Sequence, residues 1–242
     1  LHLCDRRQRQ MCIRDRYKEL TFEGRNAVIE AFRSGKTIDK LFILDGCQDG
    51  PIKSIVREAK KTSTIINYVD KERLDRLANT GHHQGVVAIG AAYEYAEVED
   101  ILEAARSKGE APFIFVLDEI EDPHNLGAII RTANLAGAHG VIIPKRRAVG
   151  LTATVAKTSA GAINYTPVAK VTNIANTIEA LKKEGLWFVC ADMGGETMYN
   201  LDLKGPIGLV IGNEGNGVSR LVKEKCDFVA SIPMKGDIDS LN

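Results

Sequence analysis

Nowhere does the sequence approach the ~20 consecutive apolar residues that a membrane span requires, so it reads as a soluble protein. It has no excess of charge either. Lys and Arg number 32, and Asp and Glu number 32, which argues against a generally adhesive nucleic-acid binder but leaves room for a local basic patch. Cysteine is scarce and scattered (Cys4, Cys12, Cys47, Cys190, Cys226), with no Cys-x-x-Cys and no metal-ligand spacing. That excludes a disulfide scaffold or a structural zinc site and fits reduced thiols in the cytoplasm. The amino-terminal residues lack the apolar core of a secretory signal. Internal repeats and low-complexity segments are missing as well.

What is present is 242 residues, 44% of them hydrophobic, enough for one large or two small domains with real cores. Residues 1–16, LHLCDRRQRQMCIRDR, stand apart, with five Arg, two Asp and two Cys and no sustained period. They read as non-native or disordered sequence rather than a basic RNA-binding arm. Without them the chain has 27 basic and 30 acidic residues, a net charge of −3. Residues 17–93 alternate short apolar runs with helical patterns: helix 27–33, strand 41–44, a helix opening at Pro51, strand 64–66, helix 71–78 and strand 85–89. This predicts a small α/β sandwich. Residues 94–111, EYAEVEDILEAARSKGEA, form a charged linker containing a short helix that ends near Gly109. From residue 112 the alternation resumes, with strands at 113–117, 140–143, 166–171, 186–191, 208–211 and 228–232 and helices at 125–136, 151–159, 174–184 and 218–225. The pattern predicts an α/β domain over 112–242, its sheet mostly parallel with helices on both faces.

Two stretches of this second domain share one design. Phe113 to Leu117 is a continuous apolar run, the mark of a strand buried on both faces. Asp122-Pro123 ends it, because proline has no N–H for a ladder. Asn125 then suits an N-cap, and Arg131 lies about two turns into the helix. The run 208–211 likewise leads into Gly212-Asn213-Glu214-Gly215-Asn216-Gly217 and a second helix. Both turns sit at carboxyl ends of strands, where open α/β sheets bind ligands. The glycine loop occupies the place of a phosphate loop, yet it is neither GxGxxG nor GxxxxGK[ST], and no lysine follows. Glu214 would repel a phosphate, so a cationic or neutral ligand fits better. A third stretch begins as a strand at Ser231, breaks at Pro233 and reaches Ser240, an N-cap candidate, two residues before the end. In the smaller domain Arg25 and Asn26 open a helix, either touching a ligand or serving as a cap and a solvated arginine, while His83 and Gln84 lie in a polar turn that either contacts RNA or is merely solvated. Adjacent His82 and His83 point apart with no third ligand near, so no metal is expected.

Taken together, D-P-x-N-x-G-x-x-x-R-T-A at 122–133, I-G-N-E-G-x-G at 211–217 and I-P-M…S-L-N at 232–242 resemble the three motifs of the SpoU (TrmH) family. These are S-adenosylmethionine-dependent RNA ribose 2′-O-methyltransferases. Residues 17–93, with G-R-N-A-V and H-Q-G-V, are similar to the ribosomal-protein-like RNA-binding domain of the branch that methylates a guanosine of 23S ribosomal RNA. The resemblance implies a knotted α/β fold of the SPOUT type, its C-terminal segment passing through a loop against the general rule. It further implies a cytoplasmic homodimer with the active site at its interface, S-adenosyl-L-methionine as cofactor, ribosomal RNA as partner, and neither metal nor membrane. By matching positions it implies cofactor contacts from Gly212, Gly217, Ile232, Met234 and Leu241. It implies catalytic roles for Asn125, Arg131, Glu214 and Asn242, and substrate contacts from Arg25, Asn26, His83 and Gln84. It also implies about one more helix after Asn242, so the domain is expected to be C-terminally truncated, weakly dimeric and poor at binding the cofactor.

The implied reaction is in-line transfer of a methyl group from a sulfonium to a ribose hydroxyl. Its leaving group becomes neutral, so the enzyme mainly positions the hydroxyl and helps to remove its proton. An ordinary guanidinium does not deprotonate. Arg131 is therefore read as an anchor for the phosphate beside the target ribose, with that phosphate or an altered Arg131 both open as proton acceptor. Asn125 would orient Arg131 or the ribose, Glu214 would hold the loop or favour the sulfonium, and Asn242 would hydrogen-bond near the substrate. The alternatives are a transfer-RNA target, or a non-catalytic ribosomal-RNA-binding protein. A nucleotide-binding enzyme is disfavoured by the missing lysine.

Overall fold

A computed structural model describes residues 20–235, so the readings of residues 1–16, Ser240, Leu241 and Asn242 lie outside the described residues. The chain divides into two compact units, one reaching Glu94 and including Gly150–Ala153, the other holding Tyr95–Val149 and everything from Thr154 on.

The smaller unit has a four-stranded sheet of β1 (Leu20–Glu23), β2 (Ile38–Leu44), β3 (Ile65–Val69) and β4 (Val86–Gly90), in the order β1-β4-β2-β3. β4 runs antiparallel to β1 and β2, and β2 parallel to β3. Helices α1 (Arg25–Arg33) and α2 (Gly50–Lys61) cover one face, where Val28, Leu41, Ile43, Ile52 and Ile55 form the core. Helix α3 (Lys71–Leu77) covers the other, with Leu74 against Phe42 and Val87. Helices α2 and α3 start where a carboxylate accepts an orphan N–H: Asp49 from Ile52 at 3.1 Å, Asp70 from Arg73 at 2.8 Å, as N-caps do. β1 has no counterpart in the sequence reading. It carries no continuous apolar run, and its pairing partner lies some 65 residues away, at Val87–Gly90.

The larger unit has a six-stranded sheet of β5 (Phe113–Leu117), β6 (Gly140–Pro144), β7 (Val168–Val171), β8 (Trp187–Thr197), β9 (Ile207–Ile211) and β10 (Phe228–Ser231). The order is β10-β8-β9-β5-β6-β7, and every pairing among the described residues is parallel. Its helices are α4 (Val98–Lys108), α5 (Pro123–Leu135), α6 (Ala153–Thr158), α7 (Ile174–Lys183) and α8 (Arg220–Lys225). One sheet face packs Ile114, Val116, Ile142, Phe188 and Val210 against α4, α7 and α8. Phe115, Leu117, Val141 and Ile143, also buried, alternate to the other face, where α5 meets β6.

Three features depart from the sequence reading. Helix α4, expected inside a linker, is built into the larger unit: its apolar stripe Ile101, Leu102 and Ala105 is buried, and a Cβ on Gly140 would lie 2.6 Å from Ile101. Helix α5 starts at Pro123, not Asn125. Asp122 accepts the His124 N–H at 3.1 Å, and proline at the first helical position sacrifices no hydrogen bond. Strand β8 continues to Thr197, and its register with β10 jumps from Cys190↔Val229 to Glu196↔Ala230. Residues 191–195 therefore bulge outward, and Gly195 is required where a Cβ would meet the Val229 carbonyl oxygen at 2.4 Å. Among the described residues no helix is long and apolar enough to cross a membrane.

Candidate active site

β5 and β9 are hydrogen-bonded neighbours, so their carboxyl ends deliver residues 118–122 and 212–217 to the same place. The two turns are stitched together. The Asp118 N–H donates to the Ile211 carbonyl at 2.8 Å, extending the ladder by one residue. The buried Asp118 carboxylate accepts the Ser219 N–H at 2.8 Å. Asn213 Nδ2 donates to the Glu119 carbonyl at 2.9 Å, and Asn125 Nδ2 donates to Glu214 Oε2 at 3.3 Å. Glu119 adopts φ 58°, a left-handed conformation that a non-glycine residue holds only under surrounding constraint, and such residues cluster at functional sites. Its carboxylate pairs with Arg147 at 3.0 Å.

The glycine loop is closed on itself. Asn213 and Gly217 exchange backbone hydrogen bonds of 3.0 and 2.8 Å. Asn213 Oδ1 accepts the N–H groups of Gly215 at 2.8 Å and Asn216 at 3.3 Å, an Asx-type turn. Gly212 lies so close to Gly217 that a Cβ would fall 2.1 Å from its carbonyl carbon. The amide donors of Asn213, Gly215, Asn216 and Gly217 are thus bonded within the loop, which leaves little of the nest of free N–H groups that a phosphate needs. What the loop presents outward is the exposed Glu214 carboxylate.

The same sheet edge continues through β8 and β10. In the β8 bulge Asp192 pairs with Lys223 at 2.6 Å, and that hydrogen bond holds the Lys223 ammonium above its ordinary pKa. Beneath the bulge, the Cys226 thiol donates to the Val222 carbonyl at 3.4 Å, and the neighbouring Cys190 and burial hold it above its ordinary value, so it stays protonated. Past the end of β10, Ile232 is 50% and Met234 38% exposed, two large apolar side chains open to a ligand on this edge.

The structure therefore brings together Asn125, Glu214, Gly212 and Gly217, and puts Ile232 and Met234 two strands away on the same edge. It does not bring Arg131 to them. Six residues along α5 turn the helix by roughly 600°, leaving Arg131 about 120° from Asn125. Arg131 is exposed and forms no hydrogen bond or ion pair among the described residues. In the smaller unit the main-chain N–H of Arg25 donates to Gln84 Oε1 at 3.3 Å and Arg25 Nε to the Gln84 carbonyl at 3.2 Å, and its guanidinium pairs with Asp49 at 2.6 Å. Asn26 and Gln84 are exposed. His83 is 7% exposed. Its Nε2 bonds Asp75 at 2.9 Å and its Nδ1 accepts the Gly85 N–H at 3.0 Å, so the ring braces the turn from inside. Asp118, Asn213 and Asp192 were not singled out from sequence. An Asp at the carboxyl end of a buried strand and an Asn in a glycine turn are usable signals; for Asp192 nothing local marks the role. Among the described residues no group of three or more His, Cys, Asp or Glu could hold a metal ion.

Residues 112–242 match the model of the SpoU rRNA Methylase family, and residues 22–96 that of RNA 2′-O ribose methyltransferase substrate binding. YacO of Bacillus subtilis, named for the TrmH family of tRNA/rRNA methyltransferases, is 53% identical over 220 residues, covering 90% of this chain and 88% of that protein. A similarly named protein of Staphylococcus saprophyticus is 48% identical over 226 residues, covering 93% and 90%. The crystal structure of the SpoU methyltransferase AviRb from Streptomyces viridochromogenes, in complex with AdoMet, is similar at TM-score 0.55 and 25% identity, over 99% of this chain and 88% of that one.

Proposed function

This chain belongs to the SpoU rRNA methylase family, and on that premise we propose that it methylates a ribose 2′-hydroxyl of ribosomal RNA, with a guanosine of 23S RNA as target. Its membership makes it an S-adenosylmethionine-dependent RNA methyltransferase. The observation that supports the cofactor part of this reading is the closed 212–217 loop, bonded to the 118–125 turn, with the amides of 213 and 215–217 bonded within it and Glu214 outward; the ribosomal target rests on the resemblance of residues 17–93. Such an edge disfavours a free phosphate and accommodates a sulfonium. Ile232 and Met234 supply apolar surface for an adenine, and Gly212 and Gly217 allow close backbone approach. S-adenosylmethionine supplies the electrophilic methyl group.

The residues of this chain do the positioning. Asn125, its amide fixed by Glu214, has an oxygen and a second N–H to offer a ribose. Arg131 anchors the phosphate beside the target ribose, as a fork suited to bidentate contact. Its separation from Asn125 supports a site completed at the interface of two copies. Arg131 shares its helical face with Leu135 four residues on, which is 78% exposed. Tyr165, 81% exposed, lies next to Thr166, whose hydroxyl accepts from Asn134 at 3.1 Å. This apolar surface beside Arg131 is what a homodimer would cover. The knotted path belongs to the same proposal and rests on the family resemblance. The test is incubation with S-adenosylmethionine labelled in its methyl group, with ribosomal RNA and transfer RNA in parallel. Label on a ribosomal-RNA guanosine ribose is the expected result; label on transfer RNA alone would move the substrate, and bound RNA without label would leave a non-catalytic binder.

A further inference from the structure

The smaller unit holds a groove of about 670 Å³ between α2 and β3. Ile52 and Val56 of α2 form its floor, Tyr68 of β3 one wall, and Lys53, Arg57 and Lys60 its rim. Tyr68 shares a sheet face with Ile66, which packs into the core under α1 and α2. β3 is an edge strand, so the ring stands beside α2 and remains 56% exposed. An exposed aromatic over an apolar floor with cations along one side is the arrangement that binds single-stranded nucleic acid.

The plain explanation of these cations is solvation and the helix dipole, which favours Lys60 and Lys61 in the last turn of α2. It does not explain Lys53 in the first turn, where the dipole opposes a cation, nor Arg57 in the middle. Residues 53, 57, 60 and 61 fall on one helical face. Glu58 is the acidic residue among them, pairing with Lys61 at 2.9 Å and Arg57 at 3.8 Å. Lys53 and Lys60 have no ion pair among the described residues. The groove also adjoins the Arg25–Gln84 corner. Cys47 and Gln48 line one end, Asp49 beside them holds Arg25, and a Cβ on Gly85 would lie 3.3 Å from Cys47 Sγ.

We infer that this groove binds an unpaired segment of the RNA substrate, one base stacking on Tyr68 while phosphates run along Lys53, Arg57 and Lys60. The inference rests on the RNA-methyltransferase reading. In double-stranded RNA the bases are stacked and unavailable, so recognition falls to unpaired ones.

The test uses the full chain with a short single-stranded RNA and a duplex of equal length, measuring affinity against salt. Tyr68→Ala is expected to weaken single-strand binding about tenfold, in the range for losing one base stack, to leave duplex binding unchanged, and to be rescued by Tyr68→Phe. Lys53→Gln with Lys60→Gln should flatten the salt slope for the single strand by about 1.4, two phosphate contacts at roughly 0.7 each. Arg73→Gln, on α3 across the sheet, should do neither. Photocrosslinking of thiouridine RNA to peptides 47–68 gives a readout independent of variant folding. Unchanged binding by the groove variants, or equal loss from Arg73→Gln, would overturn the inference. Wild-type protein that methylates ribosomal RNA while the groove variants bind normally sinks the groove alone; wild-type protein that transfers no methyl group while the groove variants still lose single-strand binding sinks the enzymatic reading and spares the groove.

Discussion

At the scale of single residues, function turns on side chains whose neighbours leave them little choice, and on one left free. Arg131 is the free one. Replacing it with alanine should lower methyl transfer more than tenfold, ~1.4 kcal/mol or more of barrier, while calorimetric S-adenosylmethionine binding stays within a few-fold, because Arg131 lies apart from residues 212–217, 232 and 234. Gly212 is the opposite case. A Cβ there would sit 2.1 Å from backbone rather than from a movable side chain, so Gly212→Ala should open the loop and abolish cofactor binding; tight binding by that variant would remove the loop from the site. Glu23 offers a pH test. Its carboxylate accepts from the Thr80 hydroxyl at 2.6 Å and the Thr80 N–H at 3.0 Å, and the Thr80 hydroxyl bond, foremost, holds its pKa below the ordinary value. A depressed carboxylate stabilises the fold fully above its unfolded pKa, about 4.3, and the contribution disappears as pH falls through the lower folded value. The protection of the Thr80 amide hydrogen, its exchange rate measured against the intrinsic rate at the same pH, should therefore fall below about pH 4, and Glu23→Gln should lower that protection already at neutral pH.

At the scale of elements, the sheet of the larger unit was legible because parallel strands buried on both faces read as continuous apolar runs; FIFVL at 113–117 and the run before Gly212 are examples. Misread positions have specific causes. Asn125 was read as a helix cap because Pro123 was counted as the end of a strand, whereas Asp122-Pro123 both ends the strand and starts the helix. The β8 bulge was invisible because its register is set by β10, thirty-odd residues later. The stripe Val98, Ile101, Leu102 and Ala105 of α4 is legible, but the charge around it suggests a linker, whereas Ile101, Leu102 and Ala105 are core of the larger unit. His83 looked like a ligand-facing polar residue because a sequence does not reveal that Asp75 and Gly85 claim both ring nitrogens. One element-level prediction concerns the α5–α6 contact. Alanine is favoured over glycine in a helix interior by ~1 kcal/mol, but a Cβ on Gly127 would lie 1.8 Å from Thr158 Oγ1. That hydroxyl is held by the carbonyls of Thr154 at 2.9 Å and Pro123 at 3.2 Å. Overpacking costs ~1–3 kcal/mol and should win, so Gly127→Ala should lower the urea midpoint; a raised midpoint would mean that the helices separate freely.

At the scale of the whole molecule, the two units have different tasks in the proposed function, RNA reading for the smaller and holding the methyl donor for the larger. The exposed surface of Leu135 and Tyr165 beside Arg131 belongs to a homodimer in this reading. Leu135→Glu should shift sedimentation toward monomer and reduce methyl transfer together; loss of dimer with full activity would place the whole site in one copy. The most direct test of the central claim is mass spectrometry of nucleosides from ribosomal RNA treated with the protein and methyl-deuterated S-adenosylmethionine. A deuterated methyl on a guanosine ribose 2′-oxygen, present with wild-type protein and lost with Arg131→Ala, is the predicted result. Label on a base, or equal ribose label with Arg131→Ala, would contradict it.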